Sequence, residues 1–223
     1  MGFTANNKVR RFANSGSTWS ARTIQPIAQG DGAGFSTDTD TAFTIDGQED
    51  GGTWGWLNQK YTNSGNSWSD KASITTGRSN PGAYSISEGS GYCVGSGTAN
   101  QENEKYSASG NSWTSRTVLP TARNTVASCA LAGDKGYVMG GQGPLDTNEQ
   151  YSESGNSWAT KTVLNTATQQ FAGFPIGTDS AHIAGGWTTA SSAISEVYSQ
   201  TGNNWSAASA LNTTRYGHGG FST

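Results

Sequence analysis

Five tryptophans, Trp19, Trp68, Trp113, Trp158 and Trp205, recur at intervals of 49, 45, 45 and 47 residues, and each follows an aromatic by seven positions: Phe12, Tyr61, Tyr106, Tyr151 and Tyr198. The text between them is close to Tyr-Ser-x-Ser-Gly-Asn-x-Trp. A fixed period of this size marks one supersecondary unit repeated in tandem, a unit that cannot bury its apolar face alone and must stack on a copy of itself. Because the repeat runs end to end, residues 1–223 read as a single domain.

Counting from each tryptophan extends the repeat. Sixteen residues on stand Phe35, Tyr84, Cys129, Phe174 and Phe221, each preceded by a pair of small residues: Ala33-Gly34, Gly82-Ala83, Ala127-Ser128, Ala172-Gly173 and Gly219-Gly220. Twenty-four residues on stand Phe43, Tyr92, Tyr137 and His182. Each unit therefore reads as four short strands. The first carries the small pair, as a strand crowded around an axis requires. The second is apolar and ends in glycines, as in Tyr137 to Gly141 and His182 to Gly186. The third holds the tyrosine and the fourth opens with tryptophan. Gly-Asn between them is expected to form a two-residue primed hairpin turn, which needs positive φ. Four strands per ~45 residues is a propeller blade.

These residues resemble the kelch repeat, in which a double glycine is followed by a tyrosine seven residues before a tryptophan and by an arginine about ten beyond it. Arg78, Arg123 and Arg215 stand ten after Trp68, Trp113 and Trp205, whereas Gln29 and Thr168 hold that place in the other two copies. Asp46 replaces the first glycine in one copy and Gly95-Ser96 stands for the pair in another. The resemblance covers the chain in five copies and implies an all-β, five-bladed β-propeller of four-stranded antiparallel blades. A weaker resemblance is to the sialidase Asp-box hairpin, whose carboxylate position holds Asn14, Asn63, Ala108, Glu153 and Gln200 here.

The fifth blade is expected to be shared between the two ends and left incomplete. After Trp205 only strand one of a new unit remains, and aligning Phe12 with Tyr151 puts Met1-Gly2 on the glycine pair Gly140-Gly141. About eight residues, the first hairpin turn and most of strand two, have no counterpart. A fragment, an unusual last blade, or another chain completing the fifth blade would each account for that; an open edge inside a ring invites pairing.

Composition narrows the function. With 32% hydrophobic residues and 31 glycines the chain is turn-rich, but its net charge of -3 and its eight Trp, eight Tyr and seven Phe set it apart from disordered sequences. That charge argues against nucleic acid as a partner, since phosphate binding needs clustered cations and Arg10-Arg11 is the only adjacent basic pair. No apolar run approaches the ~20 residues that cross a bilayer, so no membrane insertion is expected, and the first 20 residues lack the apolar core of a secretion signal. Two cysteines define no disulfide framework.

Several residues invite a catalytic reading that the repeat already explains. His182 shares the column of Phe43, Tyr92 and Tyr137, and His218 begins a first strand that lines the central channel. Cys93 and Cys129 fall in core columns. Asp38-Thr39-Asp40 looks like a metal-binding pair but aligns with hairpin tips, where Asp is favoured for local hydrogen bonding. No metal, nucleophile-elbow or phosphate-loop motif is present. The kelch-fold enzyme galactose oxidase needs two histidines, two tyrosines and a crosslinked cysteine at copper. No enzyme activity, cofactor or metal site is expected.

The informative departures are tryptophans outside the repeat. The loops joining strands two and three are longer in the first and fourth blades, and these hold Trp54, Trp56 and Trp187. Antiparallel order puts those loops on the same rim as the interblade linkers that carry Arg78, Arg123 and Arg215. Exposed Trp flanked by Gly, with Arg near by, suits stacking on sugar rings or a protein hot spot. The alternative is that the three indoles cap blade edges, the stronger reading for Trp187 after its double glycine. Trp54, Trp56, Trp187, Arg78, Arg123 and Arg215 are thus the candidate ligand-binding residues of a non-enzymatic binding module. The expected ligand is a protein or glycan, on an extracellular or virion surface by its Ser/Thr/Asn/Gly-rich texture. A structural subunit of a larger particle is the alternative, and a glycosidase or oxidase ranks last.

Overall fold

A computed structural model of the chain describes residues 8–13, 17–45, 47–49, 55–95, 97, 100–220 and 222. The protein is all-β, and among the described residues there is no helix. Four antiparallel four-stranded sheets follow one another along the chain. The first holds β4 (Ala33–Ser36), β5 (Thr41–Ile45), β7 (Asn58–Thr62) and β8 (Ser67–Asp70). The second holds β9 (Gly82–Tyr84), β10 (Ser90–Val94), β11 (Asn103–Ser107) and β12 (Ser112–Ser115). The third holds β13 (Ala127–Leu131), β14 (Lys135–Met139), β15 (Asn148–Ser152) and β16 (Ser157–Thr160). The fourth holds β17 (Ala172–Ile176), β18 (Ser180–Ala184), β19 (Ser195–Ser199) and β20 (Asn204–Ala207). Ahead of them β1 (Arg10–Ala13) and β2 (Thr18–Ala21) form a two-stranded sheet, and β3 (Gln29–Gly30) pairs with β6 (Gln48–Glu49) in a short ribbon.

The sheets are arranged as propeller blades. Their first strands touch in the order β4, β9, β13, β17, and the small pairs of the repeat line a cavity of about 470 Å³ on the common axis, continuing into one of about 580 Å³. Small side chains there let the sheets converge. One strand further out, Gly91 and Gly136 receive the aromatic of the preceding blade: a Cβ on either would overlap the ring of Phe35 or Tyr84. Phe35 and Tyr84 also stack on the next strand of their own blade, on Phe43 at 5.0 Å and on Tyr92 at 5.2 Å. Cys93 and Cys129 are buried in separate apolar clusters, and His182 stacks on Phe174 at 5.7 Å.

The recurring Tyr, Asn and Trp form one latch between neighbouring sheets. In each blade the tyrosine pairs across the last hairpin with the tryptophan, their rings 5.1 to 5.2 Å apart. The tyrosine hydroxyl donates to the Oδ1 of the asparagine two residues before the tryptophan: Tyr61 to Asn66, Tyr106 to Asn111, Tyr151 to Asn156 and Tyr198 to Asn203, at 2.7 to 2.9 Å. The same Oδ1 accepts a backbone N–H of the preceding unit, from Thr23, Ala72, Thr117 or Thr162, at 2.9 to 3.2 Å. The indole Nε1 then donates to a carbonyl of that unit: Trp68 to Thr23, Trp113 to Ala72, Trp158 to Thr117 and Trp205 to Thr162, at 2.8 to 2.9 Å. Thr23 follows β2, so the β1–β2 sheet is latched to the first blade as each blade is to the next.

One expectation changes. The hairpin holding Gly-Asn is a four-residue loop, not a two-residue primed turn: Thr62 pairs with Ser67 and Ser152 with Ser157. Only the asparagine is left-handed, at φ 44, 45, 43 and 47 for Asn66, Asn111, Asn156 and Asn203. Asn tolerates that conformation and supplies the latch acceptor, so one residue meets both needs. The recurrent indoles differ in depth, and Trp205 is buried at 8% exposure. Tyr106, Tyr151 and Tyr198 are fully buried, whereas Trp68, Trp113 and Trp158 are half-buried and Trp19 is 58% exposed. The fourth strand is the outermost of its blade, so its tryptophan covers the blade interface from outside.

The aspartates of the first hairpins are hairpin braces. Asp40, Asp134 and Asp179 accept hydrogen bonds from the backbone N–H and hydroxyl of Ser64, Ser154 and Thr201 in the facing hairpin. Asp38 accepts the Asp40 and Thr41 N–H groups within its own turn.

Candidate functional site

The linker arginines do different work from one another. Arg78 and Arg123 are buried, each at 1% exposure. Arg78 forms an ion pair with Glu104 and donates to the carbonyls of Gly95 and Glu102 at 3.3 Å. Arg123 pairs with Glu149 at 2.5 Å and donates to the carbonyls of Gly140 at 3.0 Å and Val138 at 3.2 Å. Each guanidinium thus closes the strand-two end of the following blade, where Gly95 and Gly140 take positive φ of 72° and 59°. Burial lowers the affinity of Arg123 for its proton and raises that of Glu149, against the pull of each on the other. Glu104 and Glu149 stand two residues before the blade tyrosine, at the position Arg10 holds before Phe12. The expectation of three rim arginines is corrected for these two: the carboxylate draws each side chain inward and neither reaches solvent.

Arg215 is exposed. Its backbone is fixed by a bridge to Ser192, with Arg215 N–H donating to Ser192 O at 3.0 Å and Gly186 N–H donating to Arg215 O at 2.8 Å. Among the described residues its guanidinium makes one hydrogen bond, from Nε to Thr213 O at 3.4 Å.

Trp187 stands on a strap between β18 and β19 that crosses two interblade linkers. Its N–H and carbonyl pair with Gln169 of one linker, at 2.8 and 3.1 Å, and Ser192 pairs with Arg215 of the other. Its ring meets Tyr216 edge to face, centroids 5.0 Å apart at 75°. Tyr216 is 51% exposed. Arg215, Tyr216 and Trp187 therefore meet on one rim. Tyr216 was not among the candidates, though it is an aromatic outside every repeat column, the same signal that singles out Trp56 and Trp187.

Trp56 is 53% exposed although its indole is seated. A Cβ on Gly77 would fall 2.5 Å from Trp56 Nε1, so the ring rests on the Gly77 backbone beside Arg78, and Ile74 N–H donates to Trp56 O at 3.2 Å. Trp54 lies outside the described residues.

His218 lines the axial cavity against Gly185. Burial, and then the nearby charge of Arg215, hold its pKa below the ordinary histidine value despite a bond to the Ala184 backbone. His218 is therefore neutral at pH 7. Among the described residues no group of three or more His, Cys, Asp or Glu side chains is gathered as metal ligands. The chain matches no protein-family model and no curated protein.

Proposed function

We propose that this protein is a non-enzymatic binding module, a kelch-like five-bladed propeller that recognises a glycan or a protein through the rim carrying Trp56, Trp187 and Tyr216. The observation that carries this reading is the contrast among aromatics. Tyr84, Tyr92, Tyr106, Tyr137, Tyr151 and Tyr198 are buried, while Trp56 and the Trp187–Tyr216 pair stand on one rim, pinned by backbone and partly open to solvent. Aromatic faces held rigid before a ligand arrives lose little entropy on stacking. The hydroxyls of Thr188, Thr189, Ser191 and Ser192 on the Trp187 strap match a sugar better than an apolar peptide.

The kelch-like assignment is supported by Arg78 and Arg123, which join the arginine and glycine columns by hydrogen bonds. The fifth blade is supported by the latch between Thr23 and Trp68, which treats β1–β2 as strands three and four of a blade, and by Gly219-Gly220 at the axis, where strand one would run. The test is a glycan array probed with the wild type and with Trp56→Ala and Trp187→Ala. Wild-type signals that fall tenfold or more in either variant support the rim; no signal from any of the three proteins counts against a glycan ligand.

A second reading, an assembly subunit of a larger particle such as a virion, is favoured by one observation. Strands β7, β11, β15 and β19 each lie between two others, whereas β1 pairs with β2 alone among the described residues. A strand from another chain would complete that edge. A monomer in solution that melts cooperatively would argue against this reading.

A further inference from the structure

We infer, resting on the rim reading above, that Arg215 with Trp187 and Tyr216 forms a site for the carboxylate of an acidic sugar. The internal logic of the repeat points there. At one and the same repeat position the chain places three arginines, and it gives two of them a carboxylate: Arg78 takes Glu104 and Arg123 takes Glu149. In both cases the acid stands two residues before the tyrosine of the next unit. On the fifth blade proposed above, the unit that follows Arg215 is β1–β2, and there the position holds Arg10. Among the described residues the third guanidinium therefore has no carboxylate partner, and it is exposed with one long bond to Thr213.

Its surroundings have the other parts of a sugar site. Tyr216 follows it directly and presents a half-exposed ring to Trp187. The strap bearing Trp187 is tied to both neighbouring linkers, so the aromatic pair and the backbone of Arg215 keep a fixed relation. A pyranose on the aromatic faces would set an exocyclic carboxylate within reach of a planar guanidinium, which binds carboxylates through two parallel N–H donors. His218, close enough to Arg215 to feel its charge, adds no second positive charge at pH 7. The site thus offers one guanidinium to one carboxylate on a stacked ring.

Binding of sialyllactose and lactose, and of oligogalacturonate and its carboxyl-reduced form, to wild type, Arg215→Gln and Arg215→Lys is the test, by calorimetry at pH 7. The wild type should bind each acidic sugar about tenfold or more tightly than its neutral partner. Arg215→Gln should lose that preference with the neutral sugars unchanged, and Arg215→Lys should recover only part of it because an ammonium cannot form the paired contact. Neutral and acidic sugars bound equally, through Trp187 but not Arg215, would overturn the inference and leave the rim reading standing. Failure of all four sugars together with an empty glycan array would remove both, as would an acidic peptide that binds the same rim while no sugar does. The melting temperature of each variant reports on folding; Arg215 is exposed, so all should melt within a few degrees of wild type.

Discussion

Asn156 is exposed, yet the structure makes it one of the more costly surface residues to replace. Its Oδ1 accepts from the hydroxyl of the buried Tyr151 at 2.7 Å and from Thr117 N–H of the preceding blade at 3.0 Å, and its backbone is left-handed at φ 43°. Losing the partly buried tyrosine bond costs about 1 kcal/mol and the exposed bond about 0.5 kcal/mol. Placing a Cβ without Asn's local hydrogen bonding in the left-handed region adds about 1 kcal/mol. Asn156→Ala should therefore cost about 2.5 kcal/mol. Asn156→Gly relieves the backbone but not the latch, and should cost about 1.5 kcal/mol. Asn156→Asp keeps both acceptor roles and tolerates the backbone, so its cost should stay near 0.5 kcal/mol or below. For a domain of this size each kcal/mol moves the melting midpoint about 2 to 4 °C, so calorimetry should rank the variants Asp, Gly, Ala, with Ala about 5 to 10 °C below wild type. If Ala melted with the wild type, or Gly melted below Ala, the latch would not be holding the blades and the reading of the recurrent asparagine would be wrong.

The buried ion pairs make a complementary prediction. Arg123→Met or Glu149→Leu alone should cost about 3 to 5 kcal/mol by stranding the partner charge, whereas the double variant should cost far less, and a double-mutant cycle in urea measures the difference. Gly136→Ala should destabilise by about 1 to 3 kcal/mol, because its methyl meets the buried Tyr84 ring; chemical denaturation checks it. Stability should also fall with acid. His182 and His218 have folded pKa values below the ordinary 6.5 because burial disfavours the charged ring, so the stability of their neutral forms is full above 6.5 and is lost as pH falls through the lower folded values. Asp38, Asp134 and Asp179, held below 3.8 by their hairpin hydrogen bonds, extend that loss to lower pH. His182→Phe, which restores the aromatic of its column on Phe174, should flatten the pH 7.5 to 5 part of the curve, and urea melts at the two pH values test it.

The fold was legible because its determinants are periodic. Small pairs, aromatics, glycines and Tyr/Trp spacing each recur in phase, and the strands fall where those columns put them. What the sequence hid was the third dimension of each column. Arg78 and Arg215 occupy the same position and look alike in the chain, but one is buried and the other exposed: Glu104, 26 positions on, pairs with the first, whereas among the described residues no carboxylate pairs with the second. The turn type differs from the expectation because Gly-Asn is a strong two-residue signal, while the pairing of Thr62 with Ser67 makes the loop longer. Tyr216 is legible as an aromatic out of phase with the repeat, but nothing in the sequence places its ring against Trp187.

The two repeat columns that face each other at the linkers separate scaffold from site. The first column holds Gln29, Arg78, Arg123, Thr168 and Arg215, and the second holds Gln59, Glu104, Glu149, Glu196 and Arg10. Read across, the first pairing is neutral, the next two are ion pairs, and the fourth sets a threonine against a buried carboxylate; on the proposed fifth blade the last would set arginine against arginine. If packing alone governed these positions, the mismatches would fall at random around the ring. They fall at the two linkers that the Trp187 strap crosses. Thr168 Oγ1 donates to Trp187 O at 3.4 Å, and the neighbouring Gln169 pairs with Trp187. An arginine at 168 turned toward Glu196 would give up the hydroxyl that meets the strap, and a carboxylate at 10 would be available to draw Arg215 inward. On the proposed fifth blade both departures from the repeat would serve the same site: Thr168 seats the strap, and Arg10 would leave the third guanidinium at the surface.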